Sequence, residues 1–449
     1  MIKTEGIHFY INIANLDDVA ENEEKTLGVM QHTIHALDTF FTSIEAYGLR
    51  HYPGALVVEK ITSSRLHMYV EGNDIGKKFE IVSAVSKYAY MLTTYMTSIS
   101  KYRSLLKFDI QIGACFGRFM VFEFKRENAD ETTTIGYAAN YAAKLQALSR
   151  IGYISISKDL YEALIGNQVQ NFVKREDASI IKYDQNCYYE SRISELVCRF
   201  DMERDLGKAD EYAKKVTLQS MQFRDAYKKI DYRNLSKTEC KKIIGIPVFA
   251  DVRGFTKQFD SDDINLEEMA RKTQLILSSM YEIIEQRNGV HVQFQGDREV
   301  ALFHEYEDHD YVSDAVVAGL KMIDTVKQYG VSIGVGQALG RLFAAKIGTR
   351  GSKDNILLGR TVAIADHNED VLAEKNQLVI TRQVFEHLKK SGSKLCALFK
   401  VRDAESYYTE WGYAYFVSYC KQRQLEDAND KKSYNGAWKM EKKIGSIME

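Results

Sequence analysis

The fold is decided by the stretch Pro247-Val248-Phe249-Ala250-Asp251-Val252-Arg253-Gly254-Phe255-Thr256. Its apolar run predicts a buried strand, and the glycine predicts a turn directly after that strand. A strand that delivers a carboxylate at its end and then turns over backbone amides can hold a metal ion and a polyphosphate together. Alone the pattern is ambiguous, because an Asp at the end of a strand is usually a turn residue.

A second carboxylate follows in His291-Val292-Gln293-Phe294-Gln295-Gly296-Asp297-Arg298-Glu299-Val300-Ala301-Leu302-Phe303. This segment predicts two short strands around a tight Gly296-Asp297 turn. If the hairpin lies beside the first strand, Asp251 and Asp297 come together, and they repel each other unless a divalent cation lies between them. The two segments together therefore predict a metal site.

Composition excludes several classes of protein. The chain has 449 residues, which favours two or three domains, and a formal charge of −2, which gives no electrostatic case for binding nucleic acid. Its 6 cysteines are scattered without metal-ligand spacing, which favours reduced thiols. No apolar run of about twenty residues occurs and the N-terminus lacks a signal-peptide layout. We therefore expect a cytoplasmic protein without a membrane span.

The chain contains an internal repeat. Seven segments recur in the same order, and the order β-α-β-β-α-β predicts an α+β fold with two ferredoxin-like copies. The matching segments are 8–14 with 247–253, 22–48 with 263–287, 59–69 with 293–303, 78–103 with 310–328, 108–118 with 331–341, 135–144 with 358–367, and 153–157 with 378–381. The predicted domains are 1–195 and 245–420, joined by a helical connector at 196–244 and followed by a charged tail at 421–449.

The second copy resembles the catalytic domain of class III nucleotidyl cyclases over roughly residues 245 to 390. The resemblance rests on FADVRGFT, the strand–GD–strand hairpin, Gly340-Arg341 in VGQALGRLFAAKIG, and LLGRTVAIA. It implies two cyclase homology domains that form an intramolecular pseudo-heterodimer. It also implies two divalent ions, Mn²⁺ or Mg²⁺, on the Asp251 and Asp297 carboxylates and the Val252 carbonyl. The residues that the resemblance assigns to the triphosphate are Phe255, Thr256 and Arg341.

The two copies have diverged in a complementary way. Asn12 and Ser64 stand at the metal positions of the first copy, where neither side chain is anionic. That copy instead keeps the positions that contact the base, orient the ribose and stabilise the transition state in the family: Lys60, Thr133, Asn140 and Lys144. In the second copy those positions hold Gln293, Ile356, Ala363 and His367. The resemblance therefore implies one active site per chain, between the copies.

The nucleobase is the least determined feature. The Lys60/Thr133 pair resembles some bacterial adenylate cyclases, and guanylate cyclases typically carry Glu at the Lys60 position, which disfavours GTP. The tandem layout with its GYAANYAAKLQ helix start resembles the pyrimidine cyclases of bacterial Pycsar antiphage systems. That implies CTP, or UTP, as the substrate and an effector protein that responds to the cyclic nucleotide. An adenylate cyclase and a catalytically silent nucleotide sensor remain alternatives, and homodimerisation is left open.

Overall fold

The computed structural model describes residues 2–27, 30–124, 131–164, 166–183, 186–197, 202–215, 222–236, 239–254, 266–307, 309–349 and 352–409. These residues form two mixed sheets, each flanked by helices. The elements of the first domain are β1 Ile2–Ile13, α1 Leu16–Leu27, α2 Gln31–His51, β2 Leu56–Thr62, β3 Arg65–Glu71, α3 Ile75–Met96, β4 Ile110–Phe124, β5 Glu131–Ile135, α4 Tyr137–Leu148, β6 Tyr153–Ser157, α5 Lys158–Ala163, β7 Val173–Glu176 and β8 Cys187–Arg192.

The second sheet repeats this plan. After α6 Glu203–Lys215 and β9 Gln222–Asp225 come β10 Glu239–Val252, α7 Leu266–Gln286, β11 Val290–Gln295, β12 Arg298–His304, α8 Tyr311–Val326, β13 Ile333–Gln337, β14 Gly340–Thr349, β15 Ser352–Leu358, α9 Arg360–His367, β16 Gln377–Thr381, α10 Arg382–Lys390, β17 Lys400–Val401 and β18 Ser406–Tyr408. The strand orders are β2-β3-β1-β4-β6-β8-β7 and β11-β12-β10-β13-β16-β18-β17. This confirms the α+β fold with two ferredoxin-like domains.

Side chains alternate along the central strands β1 and β10. One face of each sheet therefore packs in the core beneath the long helices, and the opposite face does not. In β10, Val248, Ala250 and Val252 enter the core beneath α7 and α8. Phe249 and Asp251 consequently point to the opposite face, against which α9 packs. The first domain follows the same rule, so the candidate functional residues of both domains lie on the faces that lack the long helices.

Each domain sends a two-stranded arm into the core of the other. The arm of the first domain, β4–β5, contributes Met120, Phe122, Phe124 and Ile135 to the core of the second. The arm of the second domain, β14–β15, contributes Phe343, Ala345, Ile347, Ile356 and Leu358 to the core of the first. Burial of these apolar side chains fixes how the two domains meet.

The segment 196–244 is only partly the predicted helix. It contains α6, but also β9 and the first residues of β10, which pair in parallel. Helix α6 is anchored to the first domain through Asp205, which contacts Arg50 and lies 2.7 Å from His51 Nε2. The first-copy helix expected over 22–48 is likewise two helices, α1 and α2. The tail at 421–449 lies outside the described residues.

Among the helices within the described ranges, none combines the length and the apolar character needed to span a membrane.

Candidate active site

Asp251 and Asp297 are brought together by the sheet. Asp251 lies near the end of β10, directly opposite Arg298 of β12 and Gly334 of β13. Asp297 is in the turn that joins β11 to β12, one residue before Arg298. The turn requires Gly296, whose φ of 67° lies in the left-handed region. The hairpin register thus places the second carboxylate beside the first.

The electrostatics of the pair suit a cation. Burial raises the pKa of Asp251, although Arg298 and Arg253 oppose the effect. The pKa of Asp297 lies well above its ordinary value because of burial first and the charge of Asp251 second. Oxygen ligands of this kind are what Mg²⁺ and Mn²⁺ prefer, and a cation would remove the repulsion. The donors therefore fit divalent ions, with buried Val252 next in the chain.

Two arginines share this site, and sequence reasoning missed their role. Arg253 lies 3.6 Å from Asp251 and 2.7 Å from the carboxylate of Glu369. Its guanidinium passes over Gly334, where a Cβ would lie only 2.0 Å from it, so a larger residue would displace it. Arg298 also binds Glu369, at 2.8 Å from Nε, and lies 2.6 Å from Asp366.

Glu369 belongs to a π-helical turn, Asn368–Leu372, that extends α9. Such turns are frequent at functional sites. The Glu369 side chain is fully buried and joins both arginines, so it ties α9 to the strands that carry the aspartates. One sequence signal existed for Arg298, since the hairpin register alone places it opposite Asp251. Nothing in the sequence pointed to Glu369.

Lys60 of the first domain reaches the second domain. Its ammonium is buried, lies 2.6 Å from Glu131 of β5, and donates a hydrogen bond to the backbone carbonyl of Phe294. Phe294 lies on β11, three residues before Asp297. The structure therefore brings Lys60 to the strand that leads into the metal-site turn.

Thr133 and Asn140 each carry an unsatisfied polar group. The Thr133 hydroxyl on β5 and the Asn140 Nδ2 on α4 are buried, and neither has a hydrogen-bond partner among the described residues. Buried polar groups are nearly always paired in folded proteins, because an unpaired one costs free energy. A bound ligand that hydrogen-bonds to both would remove that cost.

The charge of Asp297 acts on Tyr10 of β1 in the first domain. Tyr10 of β1 packs against the cluster under α4 that includes Tyr141 and Ala142. Its pKa is raised mainly by burial and Glu59, and also by Asp297 of the second domain.

Lys144 lies one turn beyond Asn140 and is partly buried. Its charge contributes to the lowered pKa of Asp177, after the hydrogen bonds from Ser179.

Of the residues assigned to the triphosphate, the structure describes Arg341 and does not bring it together with the aspartates. Phe255 and Thr256 lie outside the described residues. Arg341 is exposed on β14 and pairs with Ile244, seven residues before Asp251 on β10. In an extended strand that separation is about 23 Å, which exceeds the reach of an arginine side chain. The structure does not bring Arg341 to the aspartates, because β13 and β14 run antiparallel to β10 and away from them.

Comparisons with known proteins agree with this architecture. No family model matches the sequence, and no curated protein matches it either. Among solved structures, a class III adenylyl cyclase-like ATP-binding protein from Pseudomonas aeruginosa matches at 17% identity, with a TM-score of 0.64 over 86% of this chain and 85% of that one.

The chain has a class III cyclase-like fold.

Two further solved structures match smaller parts of the chain. An adenylyl cyclase from P. aeruginosa matches at 19% identity over 39% of this chain and 97% of its own, with a TM-score of 0.34. A guanylate cyclase domain from Catenaria anguillulae in complex with GTP matches at 17% identity over 38% of this chain and 100% of its own, with a TM-score of 0.33.

A cavity lies at the position that the pseudo-symmetry of the class III cyclase-like fold relates to the site of Asp251 and Asp297. It has a volume of about 280 Å³ and lies between the domains. Its lining includes Asn12 and Ser64 from the first domain, and Ala363 and His367 from the second. These four residues stand at the positions equivalent to Asp251, Asp297, Asn140 and Lys144 in the two copies. The cavity also contacts Arg298, which connects it to Asp251.

One histidine-containing group lies on the same face of the first domain. His8, Glu59 and His67 place possible metal-ligand atoms within 4.8 Å of one another. His67 bridges the other two, with one ring nitrogen 2.9 Å from His8 Nδ1 and the other 3.0 Å from Glu59 Oε2. Since its two nitrogens point in opposite directions, this geometry is that of a hydrogen-bonded chain.

Proposed function

We propose that the chain is a nucleotidyl cyclase that converts a nucleoside triphosphate to its 3′,5′-cyclic monophosphate and pyrophosphate. The observation that carries the proposal is the meeting of Asp251 and Asp297 at one hairpin turn, with Asp297 close enough to Tyr10 of the first domain to raise its pKa. Two partly buried carboxylates that repel each other cost stability, and a metal-dependent reaction explains why they are there. The first domain carries unsatisfied polar groups at Thr133 and Asn140, two of the positions proposed to contact the nucleotide.

Each residue has a proposed task. Asp251, Asp297 and the Val252 carbonyl hold two divalent ions. Bound ions would lower the pKa of the ribose 3′-hydroxyl and neutralise the triphosphate. The residues of the first domain contact the nucleotide itself. Asn140 orients the ribose, Lys144 offsets the negative charge that develops at the α-phosphate, and Lys60 and Thr133 contact the base.

We further propose a pyrimidine substrate, with CTP preferred over UTP, and a product that signals to an effector protein in antiphage defence. This choice is supported by the resemblance of the tandem layout to the Pycsar cyclases. The test is to incubate the pure protein with Mn²⁺ or Mg²⁺ and each of the four nucleoside triphosphates, and to identify the product by mass spectrometry. Cyclic CMP is expected, whereas cyclic AMP alone would reject the pyrimidine assignment.

A second candidate is a nucleotide-binding protein without catalysis. It is favoured by Arg253 and Arg298, whose guanidinium groups lie beside Asp251 and supply positive charge there without a metal ion. The solved structure with the TM-score of 0.64 is itself described as an ATP-binding protein. This candidate predicts nucleotide binding by calorimetry with no cyclic product from any of the four nucleotides.

A further inference from the structure

Glu131 is a meeting point of the two domains. It is the first residue of β5, and its carboxylate contacts groups from both domains. Oε1 lies 2.6 Å from Lys60 Nζ and accepts the backbone N–H of Phe294 at 2.7 Å. Oε2 lies 3.1 Å from His291 Nε2, and the other ring nitrogen of His291 lies 2.7 Å from Glu299. The side chains of Lys60, Glu131 and His291 are all largely buried.

Lys60 and Glu131 together hold both backbone polar groups of Phe294. Glu131 accepts from its N–H, and Lys60 donates to its carbonyl. Strand β11 is the edge of its sheet, and among the described residues no further strand pairs with its outward side. The Glu131 carboxylate and the Lys60 ammonium instead form the hydrogen bonds that a neighbouring strand would form with Phe294. Strand β11 ends at Gln295 and the turn with Asp297 follows. The contacts of Glu131 and Lys60 with Phe294 therefore lie three residues before Asp297.

The pseudo-symmetric position is built differently. There Asp354 of β15 accepts the backbone N–H of Ile61 at 2.7 Å, and Ile61 lies on β2, the edge of the first sheet. The residue that corresponds to Lys60 is Gln293, which donates within its own domain to the Asn355 carbonyl at 3.1 Å. On the side that carries the aspartates, by contrast, an acid and a cation of the first domain both bond to the backbone of one residue in the second.

Charge supports the same distinction. Burial acts to raise the pKa of Glu131, but Lys60 and His291 outweigh it and hold the value at about 2. Burial raises the pKa of Asp354 to about 7, with only partial opposition from the Ile61 N–H and Lys60. Hydrogen bonds that involve an ionised group are shorter and stronger than neutral ones. Both backbone contacts are 2.7 Å long, and the one at Glu131 is made by the carboxylate with the lowered pKa.

We infer that Glu131 is a positioning residue for Asp297. Paired with Lys60, it fixes Phe294 and thereby the β11–β12 turn, so that the carboxylate of Asp297 meets Asp251 and the first domain. The Lys60 ammonium has three N–H donors, of which two bond to Glu131 and Phe294. The third remains for a nucleotide base. The inference rests on the proposed function for its effect on turnover, but its structural part stands without it.

The test compares Glu131→Gln, which keeps the size of the side chain and removes its charge, with Asp354→Asn as the matched control on the other side. Amide hydrogen exchange is expected to rise in residues 290–298 for E131Q and in residues 56–66 for D354N. Affinity for Mn²⁺ alone and kcat are expected to fall about 10- to 100-fold for E131Q, as for other residues that orient metal ligands. D354N should stay within about twofold of wild type in its affinity for Mn²⁺, which is the quantity compared between the two sides because Asp354 acts on Lys60.

The outcomes separate this inference from the proposed function. Unchanged hydrogen exchange over residues 290–298 and unchanged Mn²⁺ affinity in E131Q would overturn the positioning role. Equal losses in E131Q and D354N would also overturn it, because they would show a general loosening of the interface. If the wild-type protein makes no cyclic product, the proposed function fails, while the exchange and Mn²⁺ measurements still decide the role of Glu131.

Discussion

Arg298 lies directly across the sheet from Asp251, on the same face, and its guanidinium is held by Glu369 and Asp366 of the α9 segment. The pair therefore joins three parts of the site: the strand with the first carboxylate, the hairpin with the second, and the turn that follows α9. In the first domain the same register places Arg65 opposite Asn12, where no carboxylate is present. This contrast provides a matched control for the first prediction.

Arg298→Met should destabilise the protein by roughly 3 kcal/mol, because removal of one partner leaves the buried carboxylate of Glu369 with less compensation. Arg65→Met should cost less than about 1 kcal/mol, as for most exposed or partly exposed charges. Thermal unfolding followed by circular dichroism measures both. A loss in R65M as large as in R298M would contradict a special role for the Arg298–Glu369 contact.

Asp297→Asn should reduce formation of the cyclic product at least about 100-fold while leaving the fold intact, because it removes one of the two proposed metal-binding charges. Its melting temperature should equal or exceed that of wild type, since Asp251 no longer repels a second carboxylate. Ser64→Ala changes the equivalent position in the first domain and should leave turnover unchanged. Full activity in D297N would refute the metal assignment.

Asn140→Ala and Lys144→Ala should each lower kcat/KM by about 100-fold, because the first misplaces the ribose and the second removes charge stabilisation. The control is His367→Ala, which alters the second-domain position equivalent to Lys144. It should change kcat/KM less than about twofold under the one-site proposal. Steady-state kinetics with the preferred nucleotide measure all three variants, and a large loss in H367A would indicate that both clefts take part in turnover.

Much of the fold could be predicted from the sequence, because the repeat fixed the order of elements and the hairpin pattern fixed the register that joins Asp251 to Asp297. The connector was harder, since β9 is a four-residue strand and pairs with the start of β10. Propensity over so short a segment is outweighed by tertiary pairing.

The contacts of the site were less predictable than its aspartates. Glu131 begins the run ETTT, and the sequence pattern favoured Thr133 as the contact residue on that strand. The role of Glu131 depends on the β4–β5 arm lying across the second domain, which brings it to Phe294 from 163 positions away in the sequence. The contact of Arg341 with the triphosphate stays a prediction, and the family motif did not reveal how far β14 lies from the end of β10.

The last prediction concerns pH and the interface carboxylate Asp354. Burial, together with the charges of Glu131 and Glu45, raises its pKa from the ordinary 3.8 to about 7, although the Ile61 N–H and Lys60 oppose this. Because the folded state binds this proton more tightly than the unfolded chain, the stabilisation is complete below about 3.8 and is lost as the pH rises through about 7. Asp354→Asn resembles the protonated form at every pH.

The melting temperature of wild type relative to D354N should therefore fall between about pH 5 and about pH 8. Asp403→Asn serves as the control, since hydrogen bonds from Ser406 lower the pKa of Asp403 and the group stays ionised across that interval. The difference between wild type and D403N should consequently remain constant with pH. A constant difference for D354N as well would show that Asp354 is already ionised in the folded protein at about pH 5, and that its burial does not govern its proton affinity.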